Sequence, residues 1–178
     1  LAAAIVMTSQ GTPFFQAGEE MLRSKPLPEG GFDHNSYKSP DSINSIKWDT
    51  LSDPMYQDVV DYYTGLIAFR REHSALRMTT AQEVAEKITQ LPDLDFNVLG
   101  FHIAKDANGE QNELVVIFNP NAEATTVTLP EGSWEIHING EDAGTRALAT
   151  AEGTVEVAPI SAMVLVLPGE EPVPTEPV

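Results

Sequence analysis

The chain has 178 residues, of which 42% are apolar, enough for one large or two small domains with a real core, so disorder throughout is excluded. Its formal net charge is −17, and the acids are uneven: residues 1–87 carry 12 against 8 Lys and Arg (−4), residues 88–178 carry 15 against 2 (−13). Such a field repels phosphate backbones and anionic lipid, so neither nucleic acid nor a membrane is expected as a partner, and neutral ligands such as sugars stay open.

There is no cysteine, which removes disulfides and thiolate metal sites. No stretch approaches the roughly 18 to 20 apolar residues that cross a bilayer. No basic segment precedes the first apolar one, as a signal peptide requires. The chain opens inside "LAAAIVMTSQ" without an N-cap, and so reads as one that has lost its beginning.

In chain order, residues 1–9 are apolar and helical, and Gln10-Gly11 breaks the run. Thr12 to Gln16 is a short apolar stretch of the kind buried on both faces of a sheet. A parallel strand needs crossover-connected neighbours that nothing else in this chain supplies, so residues 1–75 read as an α/β remnant. Residues 17–44 follow as a long polar loop punctuated by Gly and Pro, carrying acids, amides and one histidine. A loop of that length in a compact domain is usually a functional one.

"SDPMYQDVVDYYTGLIAFRREH" predicts an amphipathic helix with Asp53 as N-cap and Pro54 at the first helical position. Met55, Val59, Tyr62, Leu66 and Phe69 lie on its apolar face. "TTAQEVAEKITQL" predicts a short second helix, with Thr80 and Glu83 in capping-box spacing and Val84, Ile88 and Leu91 on one side. From Phe96 the period changes to two, and six short strands with turn signals about every ten residues predict an antiparallel β-sandwich over residues 76–168, headed by the short helix. Trp134, Ile136 and Ile138 are expected on the core side, with Glu135, His137 and Asn139 in water. Residues 169–178, rich in Pro and Glu, read as a linker or tail with nothing to bury.

"GTPFFQAGEE" resembles the last-strand motif of the α-amylase clan of glycoside hydrolases, with Gly11, Pro13, Gly18 and Glu20 on the pattern. Arg23, Lys25, the run Asp33 to Tyr37 and the run Ser39 to Asn44 resemble the loop after the eighth barrel strand of type I pullulanases and limit dextrinases. The resemblance implies a fold for nearly the whole chain. Residues 1–75 would be the seventh helix, eighth strand, long loop and eighth helix of a (β/α)₈ barrel, and residues 76–168 the β-sandwich that follows it. It also implies an extracellular or cell-surface enzyme that hydrolyses α-1,6 links in pullulan or branched maltodextrin with retention. Loops at this face of such barrels build the active site, so the polar loop would be a wall of a sugar cleft.

Retaining glycosidases need a carboxylate nucleophile and a carboxylic acid about 5 Å apart. The motifs that carry them in this family are absent from the chain, so no catalytic residue is assigned and the chain alone is expected to be inactive. Glu19 and Glu20 are adjacent, so at most one would face a cleft, and both are assigned to supporting the loop. Asp33 and Asn35 offer acceptors and donors two residues apart, which suits sugar hydroxyls, and the resemblance places them near the non-reducing-side glucose subsites. His34 either contacts sugar or hydrogen-bonds within the loop. Tyr37 either stacks on a sugar or covers the barrel rim. Arg23 either pairs with Glu19, Glu20 or Asp33 to fix the loop or touches substrate, and Trp48 and Tyr56 are expected to be core at the loop's exit. No cofactor is required. Ca²⁺ is bound by relatives, but the chain shows no dense Asp/Asn ligand loop.

The apolar faces of residues 1–75 are expected to be covered by the rest of a barrel or by a second copy. The alternative is a noncatalytic carbohydrate-binding or structural module. Such a module would need a surface row of aromatics, and after residue 101 only Phe118 and Trp134 are aromatic.

Overall fold

The computed structural model describes residues 1–169. The Pro- and Glu-rich segment beyond Gly169 lies outside the described residues. The elements are helices α1 (Ala2–Thr8), α2 (Asp41–Asn44), α3 (Pro54–Glu72) and α4 (Ala81–Lys87), and strands β1 (Ile88–Gln90), β2 (Leu99–Ile103), β3 (Glu113–Asn119), β4 (Thr125–Thr128), β5 (Trp134–Ile138), β6 (Ala149–Ala151), β7 (Thr154–Val157) and β8 (Ser161–Leu167). Short 3₁₀ turns cover Glu19–Met21, Ser36–Lys38, Trp48–Ser52, Ser74–Arg77 and Ala107–Gly109.

All strand pairing is antiparallel. One sheet runs β1-β2-β3-β8-β5-β6, and a second consists of β4 and β7. "ELVVIFN" and "SAMVLVL" are near-continuous apolar runs, and they form the central pair, buried on both faces. Val115, Ile117, Met163 and Leu165 face β4 and β7, closing a core with Val127, Val155, Val157 and Trp134. Leu114, Val116, Phe118, Val164 and Val166 face the other way, onto Ala4, Met7, Leu66 and Phe69 of α1 and α3. The six-stranded sheet is thus covered on both sides, by helices on one and by the small sheet on the other. Part of the apolar face of α1 expected to need an outside partner is met here by α3 and the sheet.

The N-cap is as the sequence predicts: the Asp53 carboxylate accepts from the Met55 amide at 3.0 Å, and Pro54 opens α3. Leu66 and Phe69 are fully buried, Val59 and Tyr62 half-buried, and Met55 exposed, so α3 sinks into the core toward its C-terminus. At Gly65 the helix meets the loop after β5 so closely that a Cβ would lie 1.9 Å from the Ala143 carbonyl oxygen, and Tyr62 donates to the Asn139 carbonyl at 2.8 Å.

Arg70, buried, ties α1 to this helix. One guanidinium nitrogen donates to the carbonyls of Met7 and Ser9 at 2.7 Å each, the other to Gly11 at 2.6 Å. These carbonyls end α1 and would otherwise lack partners. Gln10 adds a two-way clasp, donating to the Ala75 carbonyl and accepting from the Met78 amide.

Four expectations are corrected. Thr12–Gln16 forms no strand, and Phe14 is 88% exposed, because a strand exists through its neighbours and none of the eight described strands lies beside it. The α/β remnant is therefore not formed as a βα unit within the described residues. The helix opened by Thr80 stops at Lys87, and Ile88 enters β1 instead, where its pairing with Ile103 outweighs helical spacing. The predicted strands are present, but β1 and β6 were missed, being three-residue edge strands with no alternation to read. Finally, β5 does not alternate to its end: a bulge between Ile136 and Ile138 turns both His137 and Ile138 to the helix side, and His137 is buried.

His137 there meets His73 at a ring separation of 6.3 Å, and His73 packs on Phe69 at 4.2 Å. Glu110 lies 3.4 Å from His73 Nδ1 while accepting from the Ser74 and Asn112 amides. Burial lowers the His73 imidazole below its ordinary value, opposed by Glu110 and Glu72 and assisted by His137. The folded chain therefore resists a proton that the unfolded chain accepts near pH 6.5. This contribution to stability is present above that pH and lost as pH falls through the lower folded value. Thermal unfolding should come at a lower temperature at pH 5.5 than at pH 7, and His73→Phe should flatten that dependence. An unchanged slope in the variant would remove His73 as the cause.

Candidate functional site

The polar loop is not a floppy connector. Its first turn hinges on Gly18, at φ 95°, whose carbonyl accepts from the amides of both Met21 and Arg23. The Glu20 carboxylate accepts from the Gly18 amide at 2.8 Å. Glu19 accepts from the Gln16 amide with one oxygen and from the Tyr63 hydroxyl of α3 with the other, at 2.9 Å. Burial and this contact push the Tyr63 phenol up to about 12, so it stays a donor. Neither glutamate side chain reaches outward from the turn.

Arg23 departs from the expectation of a carboxylate partner. Its guanidinium donates to the backbone carbonyls of Ala17 and Asn44, so it cross-links the two ends of the loop. A planar fork serves two carbonyls in different directions as readily as one carboxylate.

In the middle, a bridge between Pro26 and Phe32 and the Asp33 amide bonded to the Lys25 carbonyl form a small hairpin. Gly30 and Gly31, both at positive φ, turn it. The chain then enters the Ser36–Lys38 turn. Asp33 accepts from the Asn35 amide at 2.9 Å and from the Ser39 hydroxyl at 2.5 Å, an Asx-type link. The bonds from Ser39 and then Asn35 hold its carboxyl below the ordinary carboxylate range, with His34 and Lys25 nearby adding to the effect. Ser36 is buried and points inward, while His34, Asn35 and Tyr37 are exposed, Tyr37 at 76% with the Lys38 ammonium over its ring.

Asp33, His34, Asn35 and Tyr37 lie along one short segment, in unequal roles, while Arg23 joins the loop's two ends. Asp33 is engaged within the loop. Asn35, His34 and Tyr37 present side chains that make no hydrogen bond to the described residues. Trp48, expected as core, is 64% exposed in the turn before α3, where neither apolar core reaches it, and Tyr56 is only half-buried. Two framework residues were missed, Ser36 and Asn44. Their signal lay in small polar residues that bond local backbone better than they bond water. Among the described residues no group of three or more His, Asp or Glu is placed to hold a metal ion, and no helix is long and apolar enough to cross a membrane.

This combination, an antiparallel β unit buttressed by a helix that carries a rigid polar loop, is shared with starch-debranching enzymes. Residues 84–142 match the family described as pullulanase, all-beta domain. The pullulanase of Bacillus subtilis is 31% identical over 131 residues, 73% of this chain and 17% of that protein. The structure of pullulanase from Bacillus acidopullulyticus superposes with a TM-score of 0.85 at 38% identity, covering 93% of this chain and 20% of that one. A pullulanase from an Anoxybacillus species, solved with maltotriose, superposes with a TM-score of 0.78 at 29% identity, over 94% of this chain and 22% of that one. The chain thus carries a match to the pullulanase all-beta domain family over residues 84–142 and is similar to pullulanases over most of its length. It spans about a fifth of the length of the relatives it matches.

The loop's geometry makes Gly18 a sensitive point. An added Cβ would lie 2.6 Å from Arg23 Cδ, and the backbone there is left-handed. Gly18→Ala should cost about 1–3 kcal/mol of local stability. It should speed hydrogen exchange at the Met21 and Arg23 amides while leaving β3 and β8 protected. Unchanged exchange at those two amides would show that the turn does not organise the loop.

Proposed function

We propose that this chain is the C-terminal part of a type I pullulanase, in which the loop of residues 17–44 forms one wall of the glucan cleft. The parent enzyme hydrolyses α-1,6 links in pullulan and branched maltodextrins with retention, outside the cell or at its surface. The observation that carries this reading is the likeness to the Bacillus acidopullulyticus enzyme over nearly the whole chain, loop and β unit together. The maltotriose in the Anoxybacillus pullulanase supports a glucan as ligand.

Residues 1–75 on this reading are the end of the catalytic barrel, and residues 76–168 a β-sandwich that stabilises it. The exposure of Phe14 and an open groove of about 600 Å³ lined by Met7, Pro13, Phe15, Ile67, Arg71 and Met78 support a missing neighbour on that side. A covering barrel would supply the strands that Thr12–Gln16 lacks here.

The chemistry divides accordingly. The nucleophile and general acid lie elsewhere in the parent chain, since both candidate acids of the loop are already committed to local amides and Tyr63. The loop's share is binding. Asn35 can donate and accept at once, as a pair of vicinal sugar hydroxyls requires, and the Tyr37 ring offers a face to the pyranose.

Two measurements test this. The 178-residue chain alone should release no reducing sugar from pullulan, and turnover that survives repurification would place the catalytic acids within it. In the parent enzyme, Asn35→Ala should raise KM with little change in kcat, by the equivalent of about 1–2 kcal/mol for the lost hydrogen bonds. Kinetics identical to the parent in Asn35→Ala and Tyr37→Ala would make the loop structural only.

A further inference from the structure

The segment that presents Asn35 and Tyr37 has one inward residue, Ser36, lying between them. Beside the Asp33 carboxylate, which holds the Asn35 amide, the bonds that fix this segment act on Ser36 and its turn. The Lys25 ammonium donates to the Ser36 hydroxyl at 2.6 Å. The Asn44 side-chain amide donates to the Ser36 carbonyl at 2.6 Å and to the Ser39 carbonyl at 2.9 Å, spanning both ends of the Ser36–Lys38 turn. Asn44 is itself anchored, its own carbonyl accepting from Arg23 and its amide bonded to the Pro40 carbonyl in α2.

We propose that Asn44 is a positioning residue for glucan binding, which through the Ser36 and Ser39 carbonyls sets the direction in which Asn35 and Tyr37 meet the sugar. The inference rests on the reading of this loop as a cleft wall. It assigns Asn44 no contact with substrate.

The chemistry required is specific. Both carbonyls are acceptors, so the residue must offer two N–H donors from one short planar group. Asparagine does this, whereas the isosteric aspartate brings two acceptors and a charge against two carbonyl oxygens. Without the clasp, the turn retains the Ser39-to-Ser36 backbone bond but loses its tie to α2, and Asn35 and Tyr37 rotate together.

The test is a mutant cycle in the parent enzyme with pullulan as substrate. Asn44→Ala should raise KM by roughly five- to tenfold, about one hydrogen bond's worth, with kcat within about twofold. Asn44→Asp should behave like Asn44→Ala, where a merely space-filling role would leave it near the parent. Added to the Asn35→Ala, Tyr37→Ala double variant, Asn44→Ala should cause little further loss, because both groups it places are already gone. If Asn44→Ala does not fold, Lys25→Met, which releases Ser36 from its other side, enters the same cycle.

A normal KM in Asn44→Ala, a normal KM in Asn44→Asp, or an Asn44→Ala effect that persists in full in the Asn35→Ala, Tyr37→Ala background would overturn the positioning role while leaving the cleft wall in place. Normal KM in both Asn35→Ala and Tyr37→Ala would instead sink the cleft-wall reading, and the inference with it.

Discussion

Strands β3 and β8 have no face turned to water, and the rest of the chain is arranged by the need to cover them. Seven paired positions along the two strands, whose side chains alternate between two apolar cores, require a layer on each side. The small sheet of β4 and β7 supplies one. The other has to come from helices, because the remaining strands are used in extending the sheet itself. This places the C-terminal half of α3 against the sheet through Leu66 and Phe69, and fixes the axis from which the loop and α1 are hung.

From that axis, polar contacts carry order outward into segments with little apolar content. Arg70 gathers three carbonyls at the end of α1, and its burial is tolerable because its donors are satisfied by oxygens that would themselves be orphaned. Tyr63, one turn before Leu66, holds Glu19 and with it the start of the polar loop. The Arg23 link to Asn44 closes the loop's far end. A sugar-binding surface gains from such a scaffold, since rigid polar groups lose less entropy on meeting a ligand than mobile ones do.

The sequence was most readable where one local signal decided the structure. Asp53 followed by Pro54 could only start a helix, Asn108-Gly109 could only turn a chain, and the apolar runs of β3 and β8 could only be buried. It was least readable where a distant partner decides. Nothing within "TPFFQ" distinguishes a strand from an exposed extended segment, since the difference lies in neighbours. The bulge that turns His137 inward is set by the register of β8, and the alternation of "WEIHING" gives no hint of it. Ile88 lies on the helical face of its own segment yet joins β2 because Ile103 is opposite it. The polar loop stood out by its length and composition, but its inner economy of hydrogen bonds did not.

On the proposed cleft-wall reading, that economy changes which residue of the Asp33 and Asn35 pair would meet a ligand. By type, the carboxylate is the stronger acceptor and the obvious sugar contact. In the structure each of its oxygens already accepts one bond, from Ser39 and from the Asn35 amide, and those bonds keep it ionised and in place. Drawing it toward a sugar would break contacts inside the loop for contacts outside it, with little net gain. The Asn35 side chain has no such commitment, and Asp33 is what orients the backbone beneath it. On the cleft-wall reading proposed above, the residue with the stronger chemistry serves as framework, and the weaker one, held in a fixed direction, would be the group left to recognise a neutral glucan.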